Sequence, residues 1–211
     1  MRRKQLPLVS FILLGLNILG FIYEYTEGER LITYQYGMYQ GALEDGEWFR
    51  TLTSAFLHFG IAHLACNMFC LVSFGFALEK RIGPWKYLLI YAVAIAGSGL
   101  LVNYQGGNGL HAGASGAIWG LMTATLIYDI RNNLNAFEAI RCIVINLVYS
   151  FSANVSWQGH IGGGIAGLIA ALVMFRSQNG SSGQNKRISH GNQNNIRNIN
   201  GGNNDSIEYW H

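Results

Sequence analysis

The chain has 211 residues, half of them hydrophobic and only 12% charged, against about 25% charged in an average soluble domain. Its apolar runs are too long and too many for one or two soluble domains. A net charge of +3 excludes a strongly basic surface, so no nucleic-acid partner is expected, and the basic residues matter for where they fall.

Met1-Arg2-Arg3-Lys4 precedes an apolar stretch from Leu6, as in a signal peptide. No small-residue cleavage motif follows, and aromatic and polar residues run on from Asn17 to Tyr25, so a retained first helix is expected. A bilayer core needs about 20 helical residues. Six stretches approach that length, at about 7–25, 54–78, 85–103, 112–130, 136–152 and 158–175. Gly83-Pro84, the run Gln105 to Gly109, and Asp129 to Asn135 punctuate them. Thr26 to Arg50 is the one long connection, and its mixed charged and aromatic residues suit an ordered or interfacial loop. Cys66, Cys70 and Cys142 lie inside apolar spans, and an odd count without extracellular spacing gives no disulfide framework. They read as small buried hydrophobes.

With both termini cytoplasmic, twelve of the fourteen Lys and Arg fall on the inner side, and only Arg30 and Arg50 on the outer. The positive-inside bias selects that orientation. The expected organisation is a six-helix domain over 1–176 and a disordered cytoplasmic tail over 177–211, where Asn, Gly, Ser and Gln cannot bury enough apolar surface to fold.

In this topology the second, fourth and sixth spans run from outside to inside. His63 lies sixteen residues above Glu79, Ser115 fourteen above Asp129, and His160 sixteen above Arg176. At 1.5 Å per residue these groups sit roughly 21–24 Å above the inner boundary, in one shallow layer near the outer surface. Asn67 is one turn deeper on the face of His63. Lipid-facing sequence has no structural need for such groups. Gly163, Gly164 and Gly167 share the face of His160, and Gly116 and Gly120 form a small-xxx-small pair, so two backbones can approach closely.

That approach suits proton transfer, because a serine hydroxyl is a weak nucleophile until a neighbouring base takes its proton. Neutral histidine is such a base near pH 7. Ser115 is expected as nucleophile and His160 as base. The backbone N–H of Ser115, the Asn67 amide and a ring N–H of His63 are the donors available for an oxyanion. No Asp or Glu lies in the outer half of these three spans, so a Ser–His dyad is expected instead of a triad.

Taken together, the motifs resemble those of the rhomboid intramembrane serine proteases over about residues 7–176. Trp48-Phe49-Arg50 resembles the family's loop segment ahead of the second helix. His58, His63 and Asn67 match its second-helix signature, Gly113-Ala114-Ser115-Gly116 its nucleophile motif, and Gly159-His160-Ile161-Gly162-Gly163 its sixth-helix motif. The resemblance implies an all-α, six-helix, multi-pass bundle in the membrane lipid, of bacterial plasma-membrane type. It implies a cavity open to the outside, cleavage of single-span transmembrane proteins, and no metal or cofactor. Two positions depart from the pattern. Phe49 stands where the family has Trp before the loop Arg, and Trp119 where it has Phe or Tyr stacked on the catalytic imidazole.

Four rival readings are weaker. A rhomboid-like pseudoenzyme would lack the Ser or the His. A haem or metal protein would need better spacing than His58 and His63 offer, five residues apart and on different faces. A soluble hydrolase elbow requires Gly two residues after the Ser, where Ala117 stands. A transporter would spread its polar groups through mid-depth. His111, in the loop just before the fourth span, is expected at the surface or as a loop cap, and His58 is expected to tie the loop to the second helix by hydrogen bonds.

Overall fold

A computed structural model describes residues 6–150 and 156–175, apart from the side chain of Tyr149. Its elements in order are α1 (Leu8–Glu27), α2 (Glu29–Tyr36), α3 (Arg50–Thr53), a 3₁₀ turn (Ser54–Phe56) and α4 (Gly60–Cys70). A wide π turn (Leu71–Gly75) joins α4 to α5 (Phe76–Ile82) in one continuous helix. Then follow α6 (Pro84–Gln105), α7 (Ser115–Arg131), α8 (Phe137–Ser150) and α9 (Trp157–Met174). Among the described residues there is no strand, only an isolated bridge between Met38 and His111.

The first and third spans fall within two residues of the expected bounds, the third opening with Pro84 in its first turn, where a missing N–H costs nothing. The second does not begin at 54. The chain first makes α3 and the 3₁₀ turn, becomes extended at Leu57, and restarts at Gly60, whose φ of +80° favours glycine. The fourth span starts at Ser115 instead of 112, because Gly113 at φ +131° keeps the preceding residues out of the helix. Among the described residues four helices are long and apolar enough to cross a membrane: Leu8–Glu27, Gly60–Ile82, Pro84–Gln105 and Trp157–Met174. Helix α7 has 17 residues and α8 has 14 up to Ser150. The end of the expected fifth span and the expected tail over 177–211 lie outside the described residues.

Large apolar side chains such as Phe11, Leu19, Phe69, Leu89, Ile169 and Val173 face outward, whereas Ser10, Asn17, Glu24, Glu79, Asn103 and Asp129 are buried. Apolar outside and polar inside is the arrangement a lipid solvent selects. Two carboxylates organise one end. Glu79 accepts hydrogen bonds from Val9 N (2.9 Å), Ser10 N (2.8 Å) and Ser10 Oγ (2.7 Å), satisfying orphan donors of the first turn of α1 and complementing the positive end of its dipole. Asp129 accepts from Arg81 Nη1 at 2.7 Å. The lower ends of α5 and α7 are thereby joined, with the start of α1 beside them.

The Thr26–Arg50 connection is ordered. Arg50 is buried, pairs with Glu47, and donates from Nη1 to the carbonyls of Tyr34 and Gly37, both at 2.8 Å. Its guanidinium lies over the Tyr39 and Phe49 rings, so Phe49 packs on the arginine while Trp48 projects outward. His58 also ties this loop down, though not by its ring. Its backbone N–H donates to Glu24 Oε2 on α1 at 2.7 Å, while the imidazole packs edge-on to His63.

Candidate active site

Glycines set the distance between the helices that carry the candidate groups. A Cβ on Gly163 of α9 would fall inside the Gly116 backbone of α7, and one turn further a Cβ on Gly167 would lie 2.5 Å from the Gly120 carbonyl oxygen. On the other side of α9, a Cβ on Gly97 of α6 would lie 2.7 Å from the Gly162 carbonyl oxygen. Helices α6, α7 and α9 thus meet backbone to backbone, at distances that only small residues permit. Ser115 immediately precedes Gly116, and His160 stands three residues before Gly163. The seam therefore carries both to one end of the same helix pair.

Ser115 is the first residue of α7, so its backbone N–H is among those without an intrahelical partner. Its side chain is half-buried. It borders a cavity of about 30 Å³, also lined by Thr51, Ser98, His111 and Ser156. Gly113 fixes the approach to this position, its N–H donating to Ser54 O at 2.9 Å. The point where a Cβ on Gly113 would lie is 3.0 Å from His63 Nε2 and 3.6 Å from Ser115 Oγ. The His63 ring and the Ser115 hydroxyl therefore flank one glycine, and a side chain there would displace the histidine.

His63 Nδ1 accepts the N–H of Phe59 at 3.3 Å, which leaves its ring proton on Nε2, the nitrogen on the side of Gly113 and Ser115. Asn67 is buried one turn below. It uses one amide hydrogen on the His63 carbonyl at 3.1 Å and keeps the other. His160 is buried, its ring stacked on Trp119 with centroids 5.5 Å apart and planes 21° from parallel. The described hydrogen bonds do not join Ser115 Oγ to His160. The imidazole Nδ1 instead meets Ser150 Oγ at 2.5 Å.

Three serines escaped the sequence reading as parts of this region, and His111, expected at the surface or as a loop cap, joins them. Ser98 on α6 sits where a side chain on Gly116 or Gly159 would go. Ser156 caps α9, accepting the N–H of Gly159 at 3.2 Å. His111 Nε2 lies 2.8 Å from the Gly106 carbonyl, an acceptor only, so Nε2 donates and Nδ1 accepts the hydroxyl of Ser156 at 2.7 Å. That imidazole ties together the end of α6, the entry to α7 and the cap of α9. Burial holds it below the usual histidine range, the Gly106 carbonyl pulling the other way. A serine before an apolar run is the capping signal that could have found Ser156. Ser98 and Ser150 carry no signal, because a lone serine in a span is as often a packing residue.

A family model described as "Rhomboid domain" matches residues 45–177. Rhomboid protease GluP of Bacillus subtilis (strain 168) is 36% identical over 192 residues, which is 84% of this chain and 37% of that protein. Putative rhomboid protease YdcA of the same organism is 30% identical over 66% of this chain and 74% of that protein. Rhomboid protease AarA of Providencia stuartii is 27% identical over 78% of this chain and 72% of that protein. The chain spans about a third of the length of the GluP relative.

Proposed function

This chain belongs to the rhomboid family, a family of helical membrane bundles, and on that premise we propose that it is an intramembrane serine endopeptidase. In this reading α7 and α8 complete six spans, both termini are cytoplasmic, and the site opens to the outer side. The membrane in this reading is a bacterial plasma membrane, as the Bacillus subtilis relative suggests. The substrates are single-span transmembrane proteins, cut in or near their membrane segment.

Ser115 Oγ attacks the scissile carbonyl while His160 takes the hydroxyl proton on Nε2. The oxyanion that develops accepts hydrogen bonds from the Ser115 N–H at the start of α7, the free amide hydrogen of Asn67 and the Nε2–H of His63. His160 then gives its proton to the leaving amine. Water, activated by the same imidazole, releases the acyl group and restores Ser115. Trp119 stacked on the ring holds its plane while its charge alternates. A substrate helix must unwind to present its carbonyl, so Gly, Ala or Ser near the cleaved bond favours cutting.

The observation that carries this reading is the glycine seam, which brings the serine end of α7 and the histidine end of α9 into contact. Ser115→Ala and His160→Ala are each expected to abolish cleavage of a transmembrane substrate in proteoliposomes while the fold survives. A fluorophosphonate should label Ser115 and lose that label in His160→Ala. Turnover persisting in Ser115→Ala would refute the assignment.

A further inference from the structure

The described hydrogen bonds include one that this mechanism has not used. Ser150, in the last turn of α8, is buried against His160, its Oγ 2.5 Å from the imidazole Nδ1. The same hydroxyl lies 2.7 Å from the carbonyl oxygen of Asn146, one turn earlier. A carbonyl can only accept, and a serine hydroxyl has a single hydrogen. If that hydrogen goes to Asn146, Ser150 Oγ has only lone pairs to offer the ring. His160 must then carry its proton on Nδ1, since the opposite tautomer would set two lone pairs against each other.

We infer that Ser150 is a positioning residue for His160, fixing the ring in the tautomer that leaves a lone pair on Nε2. The inference rests on the reading of His160 as the general base. An Nδ1-protonated imidazole is the form that can take a proton from Ser115 through Nε2, and in triad hydrolases a carboxylate selects it. Among the described residues, the groups that touch this ring, Ser150 and Trp119, are not acids. The neutral chain Asn146 C=O, Ser150 O–H, His160 Nδ1–H does the selecting instead. It costs less desolvation than a buried carboxylate, as suits a site inside a membrane. Trp119 fixes the ring plane, and Ser150 fixes which nitrogen faces which way.

The experiment is ¹⁵N spectroscopy of the histidine-labelled full chain in detergent micelles, with kinetics on a transmembrane substrate. The wild-type His160 resonances should report Nδ1–H with an unprotonated Nε2 at neutral pH. Ser150→Ala should mix in the Nε2–H tautomer and lower kcat about 10-fold to 100-fold with KM little changed, as when a buried donor loses its partner. Ser150→Thr keeps a hydroxyl and should restore both readouts to within about threefold of wild type. A wild-type Nε2–H tautomer, or an unchanged kcat in Ser150→Ala, would overturn the inference. Should Ser150→Ala fail to fold, the wild-type spectrum alone decides. Ser115→Ala separates the two claims, since its retained turnover would sink the protease reading whatever the tautomer proves to be.

Discussion

Two regions deliver groups to the site in different ways. Along the α6, α7 and α9 seam, backbones touch through Gly97, Gly116, Gly120, Gly162, Gly163 and Gly167, and the positions of Ser115 and His160 follow from main-chain geometry. Helices α4 and α8 reach the same region by side chains, His63, Asn67 and Ser150, and the loop before α7 adds the His111 ring. The outer face of α8 is apolar and exposed at Ile140, Val144, Ile145 and Val148. In the proposed reading the seam sets where the chemistry happens, and the surrounding elements tune it. Loss of one seam glycine moves whole helices; loss of one tuning side chain removes one hydrogen bond.

The largest effect should come from the seam. Gly163→Val places a branched side chain inside the Gly116 backbone, so turnover should be lost outright and the thermal midpoint of the purified protein should fall. Ile145→Ala on the exposed face of α8, tested beside it, should leave turnover within about twofold. Equal losses in the two variants would erase the distinction. Asn67→Ala sharpens the comparison from the other side. Removing one oxyanion donor should lower kcat about 10-fold to 1000-fold with the fold unchanged, measured on the same reconstituted substrate. A loss matching that of Gly163→Val would mean that Asn67 holds the helices together.

The smallest effect is in pH. His111 is neutral in its two hydrogen bonds, and burial holds its folded pKa below the unfolded value of about 6.5. Below that value the unfolded chain binds the extra proton and the folded one does not, so stability falls as pH drops from about 6.5 towards the folded pKa. Above it, the His111 contribution is flat. Thermal midpoints at pH 7.5 and 5.5 should therefore differ by less in His111→Asn than in wild type. An equal drop in both would assign the acid sensitivity elsewhere.

Much of this was legible from residue types. Hydrophobic length located α1 and α6 almost to the residue, and the spacing of glycines from His160 and Ser115 identified the faces that pack. The break at Leu57–Gly60 was not legible. His58 and Phe59 continue an apolar run without proline, and hydropathy does not register a backbone that reverses at a positive φ. Glu79 was readable as a charge at a helix end, but its role as acceptor for the first turn of α1 needed the two ends to be adjacent.

The amino-acid sequence by itself determined a helical membrane chain, and it led to the expectation of Ser115, His160, His63 and Asn67 at one depth. Those follow from composition, helical rise and the cost of polar groups in lipid, which are properties of each segment alone. The tertiary structure alone decided which partner each polar atom takes: Glu79 on α1, His111 between α6 and α9, Ser150 on the imidazole. A hydrogen bond depends on positions within a few tenths of an ångström between residues far apart in the chain. No local periodicity encodes that distance.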